Sequence, residues 1–199
     1  MLLVLSHCLS FCLSVFLFSY DPEDVTTVTE SSPTVDIQAN PRTARLLLAE
    51  QACLEAGGCC LRLAGLYNLE RGAHHFWITQ GQVSGRPDGM INLLHYDDAA
   101  SACLAAIKRS VQLQLLPADQ RIFLLSDGHP LTRRGICQSA LQARLYQGCA
   151  MPAFVEAAAD GPPGGATSLG KIYDGSWSNN ILRWTPKYES FDRFMNANA

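Results

Sequence analysis

Between Asn40 and Tyr67 the sequence reads NPRTARLLLAEQACLEAGGCCLRLAGLY, and this stretch constrains the fold more than any other. Pro41 sits just inside a helix start, with Asn40 as its cap and Leu46, Leu47 and Leu48 leading into an apolar face. Gly57 and Gly58 then stop the helix near Ala56. CCLRLAGLY follows as one buried strand, continuous in apolar residues except for Arg62. A helix, a glycine stop and a buried strand form the rhythm of an α/β protein whose parallel sheet is covered on both faces. One feature runs against helix propensity: Arg42 and Arg45 sit in the first turn, where the partial positive charge of the helix end disfavours cations.

The rhythm continues downstream. MINLLHYDDAASACLAAIKRS predicts a short extended piece and then a helix capped by Asp97 or Asp98, with Ala99, Cys103 and Ala106 at helical spacing. RIFLLSD reads as a further strand. PLTRRGICQSALQARLY is a helix capped by Thr132, SNNILRWTPKY a short helix capped by Ser178 and stopped before Pro186, and SFDRFM a last turn. Three stretches read as irregular: DPEDVTTVTESSPTVDIQANP as a surface loop, Asn68 to Asp88, and the flexible EAAADGPPGGATSLG. No internal repeat is present.

A chain of 199 residues with 48% hydrophobic and 17% charged residues is long and apolar enough for a globular core, which excludes disorder throughout. The net charge of -3 and a pI near 5.9, with scattered basic residues, exclude a general attraction for nucleic acid. Eight cysteines suggest a disulfide framework only until they are placed. Cys59 and Cys60 are adjacent, Cys53, Cys103 and Cys137 fall on apolar helix faces, and no zinc spacing occurs, so they read as reduced, buried side chains with no metal.

Residues 1–19, MLLVLSHCLSFCLSVFLFS, form an uncharged segment apart from the 20–199 domain. A signal peptide and a membrane anchor both want flanking basic residues, and none precedes Arg42. A third reading, a start foreign to the fold such as a wrongly joined exon, leaves Ser14 to Tyr20 as a strand and Met1 to Leu13 as surplus apolar surface. Membrane contact is expected only through this segment. A cytoplasmic or organellar location is the expectation, with membrane anchoring as the alternative.

Several side chains have both a chemical and a structural reading. Arg42 and Arg45 suit a phosphate or carboxylate, or a solvated helix start. His74 and His75 are adjacent and point apart, which suits loop histidines and not a metal pair. Trp77 offers a stacking face or closes the core. His95, Asp97 and Asp98 fit an acid/base or sugar-binding cluster, or a helix cap with a packed histidine. Arg62 in a buried strand requires a carboxylate, a carbonyl or an anionic ligand. The glycines of GPPGGATSLG neither follow a strand nor open a helix, so they make no phosphate cradle.

Taken in order, TESSP, NPRTARLLLAEQ, LRLAGLYN, INLLHYDDAASACLAAI, FLLSDGHPLTRRGIC and SNNILRWTPKYESF resemble the second half of an extended short-chain dehydrogenase/reductase, the NAD-dependent epimerase/dehydratase family. The resemblance runs from about Tyr20 to the C-terminus. It implies a partial NAD(P)-binding Rossmann-like fold, an NAD or NADP cofactor and a small-molecule, nucleotide-sugar substrate. In the family a Rossmann half with a glycine-rich turn precedes this part, and that turn is not found in this sequence. The family's helix ending in a motif like LLLAEQ begins with a Tyr-x-x-x-Lys pair, in which the tyrosinate moves a proton and the lysine holds the nicotinamide ribose. Counting back from Glu50, those positions are Arg42 and Leu46. Arginine does not give up its proton near neutral pH, and leucine has neither charge nor donor.

The resemblance therefore implies a divergent, catalytically impaired epimerase-like protein; the alternative is a non-enzymatic binding or scaffold protein that keeps the substrate lobe. LRLAGLYN meets LERG where the family commonly has Gly-Pro. The family's sugar-nucleotide contacts lie near the positions of Arg62, Tyr67 and His95, which become the substrate-binding candidates. A partial sheet also implies exposed apolar edges and self-association.

Overall fold

The computed structural model describes residues 11–14, 25–36, 41–155 and 169–199. Its strands are β1 (Phe11–Ser14), β2 (Thr26–Val28), β3 (Cys59–Leu63), β4 (Gly65–Tyr67), β5 (Gln82–Ser84), β6 (Met90–Ile91), β7 (Leu93–His95), β8 (Ile122–Leu125), β9 (Leu131–Thr132), β10 (Ala153–Val155) and β11 (Lys171–Tyr173). The α-helices are α1 (Pro41–Glu55), α2 (Ala73–Gln80), α3 (Tyr96–Lys108), α4 (Ser110–Gln114), α5 (Arg133–Ala140), α6 (Ser176–Leu182) and α7 (Phe191–Asn196).

Every residue of β3 is buried, as a central strand covered on both faces requires. It lies between β1 and β8, parallel to both, with Phe11 opposite Cys59 and Leu61 opposite Phe123. The fold is mixed α/β. What reads in the sequence as one strand, CCLRLAGLY, breaks at Ala64, whose amide donates to Leu125 O at 2.9 Å. Beyond that point β4 leaves β8 and pairs in parallel with β7. The C-terminal ends of β4 and β7 thus come together beside the end of β8.

Two apolar clusters follow from this division. One joins β3 and β8 to α3 and α6 through Leu61, Phe123, Ala102, Ala106 and Leu182. The other joins β4 and β7 to α2, α5 and α7 through Tyr67, Ile78, Ile136, Phe191 and Met195. Asn92 links the second region to β11: its side-chain amide donates to Lys171 O at 2.7 Å and accepts from Tyr173 N at 2.9 Å, so it behaves as an extra peptide unit.

Several sequence expectations are corrected. The stretch read as a surface loop contains β2, whose β-branched Thr26, Thr27 and Val28 pair with β11. Asn68 to Asp88 holds α2 and β5. That helix has no side-chain cap, and its amphipathic signal reduces to His74 and Ile78 buried one turn apart, closed by Gly81 at φ 68°. The cap of α3 is His95, whose Nδ1 accepts from Asp97 N at 3.1 Å, and not Asp97 or Asp98. Gly175 precedes α6, while Ser178 lies inside it and accepts from Leu124 N at 2.7 Å. Thr132 caps α5 as expected, accepting from Gly135 N at 3.0 Å.

The apolar N-terminal region contributes Phe11–Ser14 to the sheet, a placement earlier than the expected Ser14 to Tyr20. Residues 1–10 and 15–24 lie outside the described residues, as do Asn40 and most of the glycine-rich loop, 156–168. Among the described residues no helix is long and apolar enough to cross a membrane, and the cysteines there are free thiols. The outer side of α3 and α4 carries Leu104, Ile107, Val111 and Leu115, all exposed.

Close packing between α6 and β8 generates a test. A Cβ added at Gly175 would overlap the Leu124 carbonyl oxygen, which is backbone and has little room to yield. Gly175→Ala is expected to destabilise the fold by about 1–3 kcal/mol, read as a lower urea midpoint at unchanged slope.

Candidate functional site

The three substrate-binding candidates divide between two places. Arg62 lies on the α1 side of β3; Tyr67 and His95 lie together at the ends of β4 and β7, directly opposite each other in register.

Arg62 is buried, and its fork meets Glu50 of α1: Nε donates to Oε1 at 3.0 Å and Nη2 to Oε2 at 2.7 Å. The two-bond geometry explains how a guanidinium fits inside a parallel sheet, since each charge satisfies the other. Of the two readings of Arg62 as ion pair or anion site, the geometry supplies the ion pair. The same pair forms part of the wall of an open groove of about 1010 Å³. Glu30, Glu55, Asp119, Asp174 and Trp177 also line it, which gives it an acidic lining beside one indole. Glu30 is drawn in by Ser178, whose hydroxyl and amide both donate to its Oε1. The groove does not reach Tyr67 or His95.

Arg42 and Leu46 occupy the helix two turns and one turn before Glu50, on the same face. Leu46 is half-buried. The side chain of Arg42 lies outside the described residues. A nicotinamide ribose does not fit the residue at the second position, because Leu46 has no hydrogen-bonding atom to offer it.

At the other place, Tyr67 is fully buried. Its ring meets His95 edge-on at 5.3 Å, Phe191 at 4.9 Å and Phe194 at 5.6 Å. His95 lies against Tyr188, with centroids 3.9 Å apart. Burial pushes the His95 pKa down, against the opposing pull of Asp97 and Asp98, and so favours the neutral ring that accepts from Asp97 N. Burial also raises the Tyr67 phenol, with nearby Asp127 adding to the effect. A tyrosine so disposed is no tyrosinate base at neutral pH.

Asp98, weighed in the sequence as a cap, instead points its carboxylate at the strap before α7, accepting from Lys187 N at 2.7 Å and Tyr188 N at 3.0 Å. Asp127 was not singled out by sequence reasoning. Its place at the C-terminal end of a predicted strand was the available signal, because ligands of open parallel sheets collect at that end. His74 is buried on α2 with its pKa lowered to about 4 by desolvation, and His75 is exposed, as adjacent residues pointing apart require.

No protein-family model matches the chain, and no curated protein sequence matches it. Solved structures do. A mutant UDP-glucuronic acid 4-epimerase from Bacillus cereus, in complex with UDP-4-deoxy-4-fluoro-glucuronic acid and NAD, aligns with a TM-score of 0.71 at 15% identity, over 94% of this chain and 59% of that one. UDP-glucose 4-epimerase from Thermotoga maritima, with UDP-glucose, aligns at 0.68 and 16% identity, over 94% of this chain and 61% of its own. A conserved protein of unknown function from Silicibacter pomeroyi aligns at 0.68 and 21% identity, covering 94% and 64%. The chain therefore spans about three-fifths of the length of these structures.

The ion pair makes a graded prediction. Glu50→Ala takes the carboxylate away from the buried Arg62 fork and is expected to cost about 3–5 kcal/mol, whereas Glu50→Leu with Arg62→Met removes both charges and recovers most of it. Urea unfolding of the three proteins measures this, and equal losses in single and double variants would contradict it. The similarity to these epimerase structures establishes that the chain has a Rossmann-like α/β fold.

Proposed function

We propose that this chain is an atypical relative of the NAD-dependent epimerases and dehydratases, one that binds a small molecule of the nucleotide-sugar class without carrying out ordinary hydride-transfer chemistry. The carrying observation is the combination of an epimerase-like fold with Leu46 on α1 one turn before Glu50. The neighbours' structures with UDP-sugars and NAD support the ligand class. Arg42 and Leu46 supply no phenol and no amine at the positions that the resemblance assigns to proton transfer and ribose binding. Tyr67 and His95 are the proposed substrate contacts on the β4–β7 side. On the other side of β3, Arg62 acts through its pair with Glu50 to set the position of α1. The cofactor, by resemblance, is NAD or NADP.

The exposed apolar line Leu104, Ile107, Val111 and Leu115 favours a second reading, a non-enzymatic scaffold that uses the lobe to hold a partner. Calorimetric titration with UDP-glucuronic acid, UDP-glucose, NAD and NADP separates the two. The first reading expects saturable binding of a UDP-sugar, weakened at least tenfold by His95→Ala in a variant that still folds. Absence of heat with all four ligands would favour the scaffold.

A further inference from the structure

The two side chains assigned to a ligand at the strand ends are closed to solvent: Tyr67 is 0% exposed and His95 5%. A ligand reaches them only after something above them moves. Three rings meet His95. Tyr67 of β4 and Phe194 of α7 stand 5.3 and 4.8 Å away, centroid to centroid, and Tyr188 is closer, at 3.9 Å with the planes 38° apart. Tyr67 belongs to the apolar cluster of this region. Tyr188 belongs instead to the strap, 185–189, none of whose residues is buried.

Both ends of the strap are fixed. Before it, Arg183 closes α6 in the left-handed conformation at φ 50°. Buried Trp184 then returns its amide to Asn179 O at 3.0 Å and donates through Nε1 to Ser101 Oγ at 2.7 Å. After the strap, buried Ser190 caps α7 and Phe191 enters the core. Between these anchors the strap is fastened to α3. Lys187 N and Tyr188 N donate to the two oxygens of the Asp98 carboxylate at 2.7 and 3.0 Å, and Tyr188 Oη donates to Asp97 Oδ2 at 3.1 Å. A segment that buries little apolar surface and is held by a few hydrogen bonds opens locally while its anchors stay folded.

We propose that the strap is a gate, in which Tyr188 shuts the His95 ring off from ligand and release of Lys187 and Tyr188 from the Asp98 carboxylate opens the site. The gate rests on the assignment of His95 as a substrate contact. Opening uncovers the ring and leaves Asp98 with two acceptor oxygens in need of donors. A sugar brings hydroxyl donors to replace the two amides, and an apolar molecule does not. Strap and ligand thus compete for Asp98, and the apparent affinity is the intrinsic one reduced by the fraction of open chains.

Hydrogen exchange on the full chain reads the gate without a ligand. The Lys187 and Tyr188 amides are expected to be less protected, by about tenfold or more, than the Ala64 amide, which donates to Leu125 O. Diethyl pyrocarbonate, located by peptide mass spectrometry, reads the ring. In the parent, His95 is expected to react about tenfold more slowly than the exposed His75 and His129. Tyr188→Ala should raise the His95 rate about tenfold and leave those two unchanged, whereas Tyr188→Phe, which keeps the ring, should stay near the parent. Titration with UDP-glucuronic acid should show tighter binding by Tyr188→Ala than by the parent. Labelling as expected with no UDP-sugar bound by either protein upholds the gate and removes the ligand assignment. Strap amides as protected as Ala64, a His95 rate equal to that of His75 in the parent or unchanged in Tyr188→Ala, or equal measurable affinities of the two proteins would overturn the gate.

Discussion

The buried fork between Arg62 and Glu50 is the constraint on which the arrangement of α1 depends. Apolar packing alone tolerates small rotations of a helix over a sheet, but two parallel N–H···O bonds at 3.0 and 2.7 Å do not. Glu50 shares its helix face with Leu46 and Arg42, so the pair that ties α1 to β3 also sets where those two positions are presented. Arg121 secures the far end of the same helix, donating to Leu54 O at 3.1 Å and to Gly58 O, in the turn beyond it, at 2.9 Å. The helix is fixed at its middle and at its end by arginines that reach it from the sheet side of the chain.

The division of β3 and β4 at Ala64 has a comparable effect on the second region. By changing partner from β8 to β7, the strand brings Tyr67, His95 and Asp127 to one end of the parallel strands. The strap before α7, held by the carboxylate of Asp98, closes over them. An open groove of about 1010 Å³ lies elsewhere, beside Glu50 and Arg62. Chemistry argues for the strand ends, where parallel-sheet proteins gather their ligands, and volume argues for the groove. The proposed substrate contacts are assigned to the strand ends because two of the three candidate side chains meet there.

What was legible in the sequence was what depends on local pattern. The helix between Pro41 and the glycine pair, the buried β3 and the Thr132 cap follow from spacing and from residues with strong conformational preferences. The need for a partner at Arg62 was legible too, since a charge inside a strand allows few alternatives; that the partner is Glu50, twelve positions earlier, required the fold. The missed features are long-range. β2 exists because β11 lies beside it, and α2 shows only a single buried His74–Ile78 step. His95 displaced the aspartates as the cap of α3 because Asp98 is engaged by a backbone segment about ninety residues away, as the Asp98–Tyr188 bond shows. Asp127 takes one partner, the His129 amide, from FLLSDGHP itself, but its burial comes from the fold, which no local reading of that stretch contains.

The claim that the epimerase-like fold here lacks the ordinary relay is tested most directly by a single-turnover experiment. The purified chain is mixed at high concentration with NAD and UDP-glucuronic acid, and absorbance is followed at the wavelength of reduced nicotinamide. Without a phenol and an amine on α1 to move the proton and hold the ribose, no reduced cofactor is expected to accumulate and the sugar is expected to be recovered unchanged. A stoichiometric burst of reduced nicotinamide, retained through purification and absent from an Arg42→Ala, Leu46→Ala protein, would contradict the account.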